Sequence, residues 1–173
     1  VYVDPDSTEY YSSKEVKAAG LSPEGTYKQF ISESGLMTIA KNQKMINVAN
    51  SLNEKGVFIQ LITARPIDNL KCKYDTYAWI KAAGIKCNHI DFSPEKFRWL
   101  LMQDYYHSDV VLCAVDDSSK HASEYAKHGI EVLSPRASYN KELDNVDGVF
   151  IYDKPAQAYN KILKKLEEFN SNE

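Results

Sequence analysis

Short apolar runs along the chain alternate with longer segments in which apolar residues recur every three or four positions. The first pattern is typical of buried strands, and the second is typical of helices that pack one face against a core. The predicted strands are residues 1–3, 57–62, 86–92, 110–115, 130–133 and 149–152, of which 110–115 has the clearest buried pattern. The alternation predicts an α/β fold, a Rossmann-like three-layer sandwich with a mostly parallel central sheet.

Helical periodicity predicts the segments that connect these strands. The main helices are expected at residues 39–54, 75–83, 119–127 and 155–169. A further helix is expected to begin at Ser93, because Ser is a favoured N-cap and Pro94 suits the first helical position. Two of the helices carry an apolar stripe that we interpret as core packing: Met45, Val48, Ala49 and Leu52 in one, and Tyr159, Ile162, Leu163 and Leu166 in the other.

Length and composition favour one folded domain. The 173 residues suffice to bury one sizeable core. Apolar residues make up 43% of the chain and charged residues 26%, as in ordinary globular proteins. Residues 9–38 are polar and contain several glycines, so we expect a small cap or loop insertion there within a single domain, residues 1–173.

Charge and hydropathy limit the classes of partner. A formal net charge of -3 offers no overall electrostatic attraction for sequence-independent nucleic-acid binding, although it leaves a local basic groove open, so nucleic acid enters only as a candidate substrate. The longest apolar runs, such as residues 57–62, are far too short to span a bilayer, which predicts no membrane association. Cys72, Cys87 and Cys113 lack zinc-site spacing and form no Cys-x-x-Cys pair, which favours a reducing, cytoplasmic compartment. Because the chain begins inside a predicted strand, we expect further residues upstream.

Reactive polar residues follow four of the predicted strands. In an open parallel sheet, ligands bind at the carboxyl ends of the strands, so these residues are expected to share one edge. In extended backbone, side chains at i and i+2 point to the same side and can converge on one phosphate or cation. In chain order the residues are Asp4 and Asp6 after the first strand, Thr63 at the end of the second, Lys96 after the third, and Asp116 and Asp117 after the fourth.

Each of these residues also has a purely structural interpretation. Asp4 and Asp6 could form a turn, Thr63 could cap a loop, Lys96 could be solvated, and Asp117 could cap the next helix. Adjacent carboxylates at a strand end nevertheless repel each other unless a cation neutralises them. The four features recur at one geometric position, which favours a functional site over separate coincidences.

Phosphoryl transfer is the chemistry that such a set supports. One carboxylate can attack phosphorus while a second acid protonates the leaving oxygen and later activates water. A hydroxyl and an ammonium can hold the phosphoryl oxygens as charge develops. Oxygen-only ligands favour Mg²⁺ over zinc as the cofactor.

The motifs resemble those of the haloacid dehalogenase-like hydrolase superfamily, in the family's order, over residues 1–133. Its first motif is Asp-x-Asp-x-Thr/Val, which Asp4-Pro5-Asp6-Ser7-Thr8 matches; the later motifs are matched by Thr63, Lys96 and the acidic pair. The resemblance implies a phosphatase with a minimal cap. The roles that it implies are a nucleophile, Asp4; a general acid/base, Asp6; phosphate ligands, Thr63, Ala64 and Lys96; and Mg²⁺ ligands, Asp4, Asp6, Asp117 and Asp116.

The chain departs from the family pattern at three positions of the first motif. Ser7 stands where Gly is usual, and Glu9 stands where an apolar residue is common. Pro5 has no backbone N–H to donate to a phosphate. These departures motivate an alternative function, a catalytically weak or inactive binding protein that retains the fold.

The candidate cap indicates a class of substrate. Residues 9–38, with Tyr10, Tyr11 and Tyr27, are the candidate cap, and a small cap resembles that of family members acting on phosphates of bulky molecules, including polynucleotide 3′-phosphatases.

A receiver-type phosphoacceptor domain also combines acids, Thr and Lys. A receiver places its acidic pair on the first strand, whereas here the double acid comes last, so the order favours the phosphatase.

Overall fold

The structure is a computed structural model, and it describes residues 17–103 and 111–171. The chain divides into two compact units, Val1–Pro94 and Glu95–Glu173. The first predicted strand, residues 1–3, lies outside the described residues, as do Asp4 and Asp6. Within the described residues, no helix has the length and apolarity needed to cross a membrane.

The first unit contains a helical segment followed by two β-strands with helices between and before them. The helical segment falls within residues 9–38, where a small insertion was expected, and its described part is a helix followed by one 3₁₀ turn. The elements are α1 (Pro23–Ser32), the 3₁₀ turn Gly35–Thr38, α2 (Gln43–Glu54), β1 (Gln60–Thr63), α3 (Leu70–Ala83) and β2 (His89–Phe92).

Capping residues decide where two helices of this unit begin and where one of them ends. Asn42 Oδ1 accepts the Met45 N–H at 3.2 Å, so α2 begins four residues later than its apolar period suggested. Asn69 Oδ1 accepts the Cys72 N–H at 2.9 Å and starts α3 before residue 75, where the pattern placed it. Gly84 ends α3 in the left-handed conformation at φ 70°, as predicted.

A small apolar cluster joins the first helical segment to α3. Ile31, Leu36 and Cys72 are buried together, with Phe30 packed against them. Gly35 lies beside this ring, and a Cβ at that position would overlap the side chain of Phe30. The absence of a side chain at residue 35 is therefore what allows the 3₁₀ turn to approach the ring.

The strands of the first unit are parallel neighbours. β1 pairs with β2 in a register that places Thr63 opposite Phe92. The Ser93 N–H then donates to the Thr63 carbonyl at 2.8 Å and extends the pairing by one residue. Ser93 consequently follows β2 directly and does not cap a helix, so the predicted helix start with Ser93 as N-cap is wrong. The next helix begins at Lys96, with Glu95 as its N-cap.

The second unit is a parallel three-stranded sheet with helices between its strands. Its strand order is β3-β4-β5, and both pairings are parallel. Together with the parallel pair of the first unit, this confirms the prediction of a mixed α/β chain with parallel strands. The elements are α4 (Lys96–Leu101), β3 (Ala114–Val115), α5 (Ser119–Lys127), β4 (Val132–Pro135), the 3₁₀ turn Lys141–Asn145, β5 (Val149–Tyr152) and α6 (Pro155–Asn170).

The core of the second unit is centred on β4. Val132, Leu133 and Ser134 have no exposed surface, whereas Val115 of β3 is 46% exposed. The prediction that residues 110–115 form the most deeply buried strand is therefore wrong for the described part, residues 111–115. Of the predicted stripe on α6, Ile162 is buried, and Ala158 shares the buried face.

Candidate functional site

Thr63 is the last residue of β1, where the sequence pattern placed a phosphate ligand. Its Oγ1 accepts the Arg65 N–H at 3.4 Å, so the side chain caps the loop that leaves the strand. Ala64 follows and is exposed. The Arg65 guanidinium donates to Thr76 Oγ1 on α3 at 3.0 Å and ties this loop to the helix. The Thr63 hydroxyl thus contacts a loop that is itself bonded to α3.

Lys96 and Asp116 form an ion pair within the second unit. Lys96 is the first residue of α4, and its Nζ lies 2.7 Å from Asp116 Oδ2. The side chains of Lys96 and Asp116 are only 18% and 5% exposed. The structure therefore brings together two residues that the sequence analysis selected separately. A charge pair this enclosed is costly to desolvate and is held by its geometry.

Both carboxylate oxygens of Asp116 have a donor. While Oδ2 accepts from Lys96, Oδ1 accepts the Ser118 N–H at 2.9 Å. That second bond joins Asp116 to the N–H two residues later, the pattern of an Asx turn, and it satisfies the backbone donor of the residue at which the chain enters α5. Ser118 occupies the N-cap position but makes no side-chain capping bond. Asp116 thus links Lys96 to the start of α5.

Asp117 has a different set of contacts from its neighbour. Its Oδ2 accepts the Tyr139 hydroxyl at 2.6 Å, and its backbone carbonyl accepts from Asn140 Nδ2 at 3.1 Å. Within residues 17–103 and 111–171, the structure records no hydrogen bond or ion pair to the other carboxylate oxygen, Oδ1. Of the two acids, Asp117 is therefore the one with an oxygen available to a ligand.

Asn140 holds the loop after β4 against the peptide of Asp117. Its side chain is buried, at 2% exposure, and its Nδ2 lies 2.9 Å from the Pro135 carbonyl and 3.2 Å from Ser134 Oγ. Its Oδ1 accepts the Ala137 N–H at 3.0 Å. One side chain thus connects β4, the following loop and the Asp117 carbonyl in the segment after β3.

Ionisable side chains around the acidic pair are buried. Burial lowers the pKa of His121, and the Lys96 and Lys120 ammonium groups lower it further, while Asp116 and Glu124 oppose this shift. His121 Nδ1 is buried with no hydrogen-bond partner. Burial, together with the negative charge of Asp117, raises the pKa of Tyr152 to about 12. His121 and Tyr152 are therefore uncharged near neutral pH.

The donor chemistry at this edge fits a hard divalent cation. Carboxylate oxygens are the ligands that Mg²⁺ takes from proteins, usually one or two of them together with water and substrate phosphate. The described residues by themselves contain no group of three or more His, Cys, Asp or Glu side chains placed to hold a metal ion. Asp4 and Asp6, the other predicted ligands and the predicted catalytic pair, lie outside these residues. Among the described acids of the predicted set, Asp117 differs from Asp116 in having one carboxylate oxygen with no recorded hydrogen bond.

Comparisons of the chain with protein-family models, with curated proteins and with solved structures gave no match. Function is therefore inferred from the motifs and from the contacts of the site.

Proposed function

We propose that the chain is a Mg²⁺-dependent phosphohydrolase that cleaves a phosphate monoester through an aspartyl-phosphate intermediate. The observation that carries this proposal is the enclosed Lys96–Asp116 ion pair, with Asp117 beside it at the carboxyl end of β3. A half-buried lysine paired with a buried acid is an uncommon arrangement for structure alone, because each charge must be compensated. It is expected where the ligand is itself an anion accompanied by a cation.

Lys96 supplies positive charge for the phosphoryl group. An ammonium has three N–H donors, and Asp116 takes one of those of Lys96. The others can donate to phosphoryl oxygens, and Asp116 keeps the flexible side chain from swinging into solvent. Thr63 contributes a hydroxyl from the end of β1, in the role that its sequence position implies.

The reaction uses Asp4 and Asp6 in the proposed catalytic roles. An oxygen of the Asp4 carboxylate attacks phosphorus, and the bond between phosphorus and the ester oxygen breaks. Asp6 gives its proton to the departing oxygen, which leaves as the alcohol. Asp6 then takes a proton from water, whose oxygen attacks the phosphorus of the aspartyl-phosphate and releases inorganic phosphate and the free Asp4 carboxylate.

Asp117, with Asp4 and Asp6, would hold the cation, and Asp116 would assist through its charge. When bound, Mg²⁺ lowers the repulsion between the attacking carboxylate and the phosphate and stabilises charge on the phosphoryl oxygens. The chain's own contribution is to fix Asp117 and Lys96 before substrate arrives, through Asn140 and Asp116 respectively.

A phosphate-release screen tests the proposal. Wild type, Asp4→Asn and Asp117→Asn would be assayed with Mg²⁺ on sugar phosphates, nucleotides, 3′-phosphorylated oligonucleotides and phosphopeptides. We expect turnover by wild type, loss of turnover in Asp4→Asn, and a higher Mg²⁺ requirement in Asp117→Asn. Asp147→Asn is a matched control, because Asp147 is an exposed acid of the same unit.

Two results would contradict the proposal. Normal turnover in Asp4→Asn would remove the nucleophile assignment. A wild-type chain that releases phosphate from no substrate would instead favour the alternative of a non-catalytic binding protein, which Pro5 motivates through its missing N–H.

A further inference from the structure

We propose that Tyr139 is a positioning residue for the divalent cation, acting through the Asp117 carboxylate. This inference rests on the proposed Mg²⁺ site and extends it to a residue that no motif includes. Tyr139 lies in the loop between β4 and β5, 22 residues after Asp117 in the chain, and is half-buried.

The contact between Tyr139 and Asp117 is short and involves only one of the two carboxylate oxygens. The phenol O–H donates to Oδ2 at 2.6 Å, a length typical of hydrogen bonds to an ionised acceptor. A donor on Oδ2 fixes the rotation of the carboxylate about its last side-chain torsion. Oδ1 is then presented in one orientation, which is what a cation with strict octahedral geometry requires.

The position of Tyr139 is itself determined by the next residue. Asn140 is anchored at both ends of its amide: the two N–H donors of Nδ2 lie within hydrogen-bonding distance of three acceptors, and Oδ1 accepts the Ala137 N–H. One of the acceptors is the carbonyl of Asp117, so the backbone of residue 117 and the loop of residues 136–140 are held to each other. The hydroxyl and the carboxylate consequently keep their relative position without depending on a ligand.

Support of the cation by Tyr139 is favoured over competition with it. An ionised carboxylate has about four lone-pair sites on two oxygens, so one phenol leaves ample acceptor capacity for a metal. Hydrogen-bonding partners behind metal ligands orient them, and their removal typically weakens metal affinity by about 10- to 100-fold. We therefore expect the loss of the Tyr139 hydroxyl to weaken cation binding.

Calorimetric titration of the 173-residue chain with Mg²⁺ and with Mn²⁺ tests the inference without an activity assay. Tyr139→Phe retains the ring and removes only the donor. We expect its dissociation constant for either cation to rise by about 10-fold relative to wild type. Tyr74→Phe makes the same chemical change at a tyrosine that is 70% exposed on α3, and its affinity should equal that of wild type.

A second measurement uses only the wild-type protein, so that a variant with poor folding cannot decide the matter. Amide hydrogen exchange of residues 136–140 should slow when Mg²⁺ is added, because cation binding would stabilise the carboxylate to which the loop is bonded. Unchanged exchange in this loop under saturating Mg²⁺ would overturn the inference.

The outcomes separate this inference from the proposed function. Unchanged or tighter cation binding by Tyr139→Phe would overturn the positioning role while leaving the phosphatase proposal intact. Weaker binding by Tyr139→Phe, in a chain that hydrolyses no phosphate ester, would support the positioning role and contradict the phosphatase. A wild-type chain that binds neither Mg²⁺ nor Mn²⁺ would overturn both.

Discussion

Lys96 Nζ lies 2.7 Å from Asp116 Oδ2, although 20 residues separate the two in the chain. Among the ion pairs of the described residues, this pair has the least exposed partners. Burial of the two charges costs solvation free energy, and their mutual attraction offsets that cost. Removal of Lys96 leaves the buried Asp116 carboxylate without an opposite charge.

Lys96→Met should therefore destabilise the protein strongly. We expect the free energy of unfolding in urea to fall by about 3 kcal/mol, because Asp116 would remain buried with its charge uncompensated. Lys120→Met is the matched control, since Lys120 pairs with Glu95 on the surface with side chains 65% and 49% exposed. The control should change the free energy by less than about 1 kcal/mol. Equal effects in the two variants would show that burial of the Lys96 pair has no energetic consequence.

Asn140→Ala should destabilise the protein without removing any charge. The substitution removes the present partner of four groups: the buried Ser134 hydroxyl, the partly buried Pro135 and Asp117 carbonyls, and the Ala137 N–H. An unsatisfied buried polar group costs about 1–3 kcal/mol, so we expect a loss of at least about 2 kcal/mol in urea unfolding. Asn145→Ala makes the same change at an exposed position of the 3₁₀ turn Lys141–Asn145 and is the comparison. A loss no larger than in Asn145→Ala would mean that water replaces the Asn140 bonds.

Stability should decrease on acidification through His121. Its folded-state pKa lies below the ordinary value of 6.5, so the unfolded chain binds this proton more readily than the folded chain does. The free energy of unfolding should therefore be constant above about pH 7 with respect to this group, and fall as the pH decreases below about 6.5. In His121→Asn the slope between about pH 6.5 and 5 should be smaller. Identical slopes in thermal or urea unfolding would contradict the assignment.

Gly35→Ala should loosen the small apolar cluster of the first unit. The added methyl group would overlap the ring of Phe30, which must then move away from Ile31, Leu36 and Cys72. Overpacking of this kind typically costs about 1–3 kcal/mol. Gly25→Ala provides the comparison, because a Cβ at residue 25 would meet only Ser22 atoms at ordinary contact distances of 3.6 and 3.7 Å. Faster alkylation of the buried Cys72 thiol in Gly35→Ala than in Gly25→Ala would confirm the expected loosening.

The sequence pattern alone was sufficient to predict the bounds of two elements. Helix Ser119–Lys127 and strand Val149–Tyr152 have the predicted bounds. The start at Ser93 failed because a hydrogen bond to Thr63, a residue distant in the sequence, holds Ser93 beside the end of β1. Exposure of Val115 was also not predictable, since the apolar pattern of a strand does not say how many neighbours it has.

For the site, the sequence predicted the individual acids and Lys96 but not how they share their contacts. It gave no reason to assign different partners to Asp116 and Asp117, which are adjacent and chemically identical. The difference arises from Tyr139 and Asn140, in a loop with no recognisable motif, and from the Ser118 amide. Such contacts depend on tertiary structure, and periodicity or spacing cannot indicate them.

The strand order β3-β4-β5 has a consequence for the rate at which the second unit folds. In the described residues each strand pairs with the next one along the chain, so the sheet joins no distant strands, although each parallel pairing must close a crossover connection. Folding rates rise as the mean sequence separation of contacts falls. In a pulse-labelling experiment, we expect the Val132 amide to gain protection from hydrogen exchange early in refolding, as soon as β3 and β5 flank it.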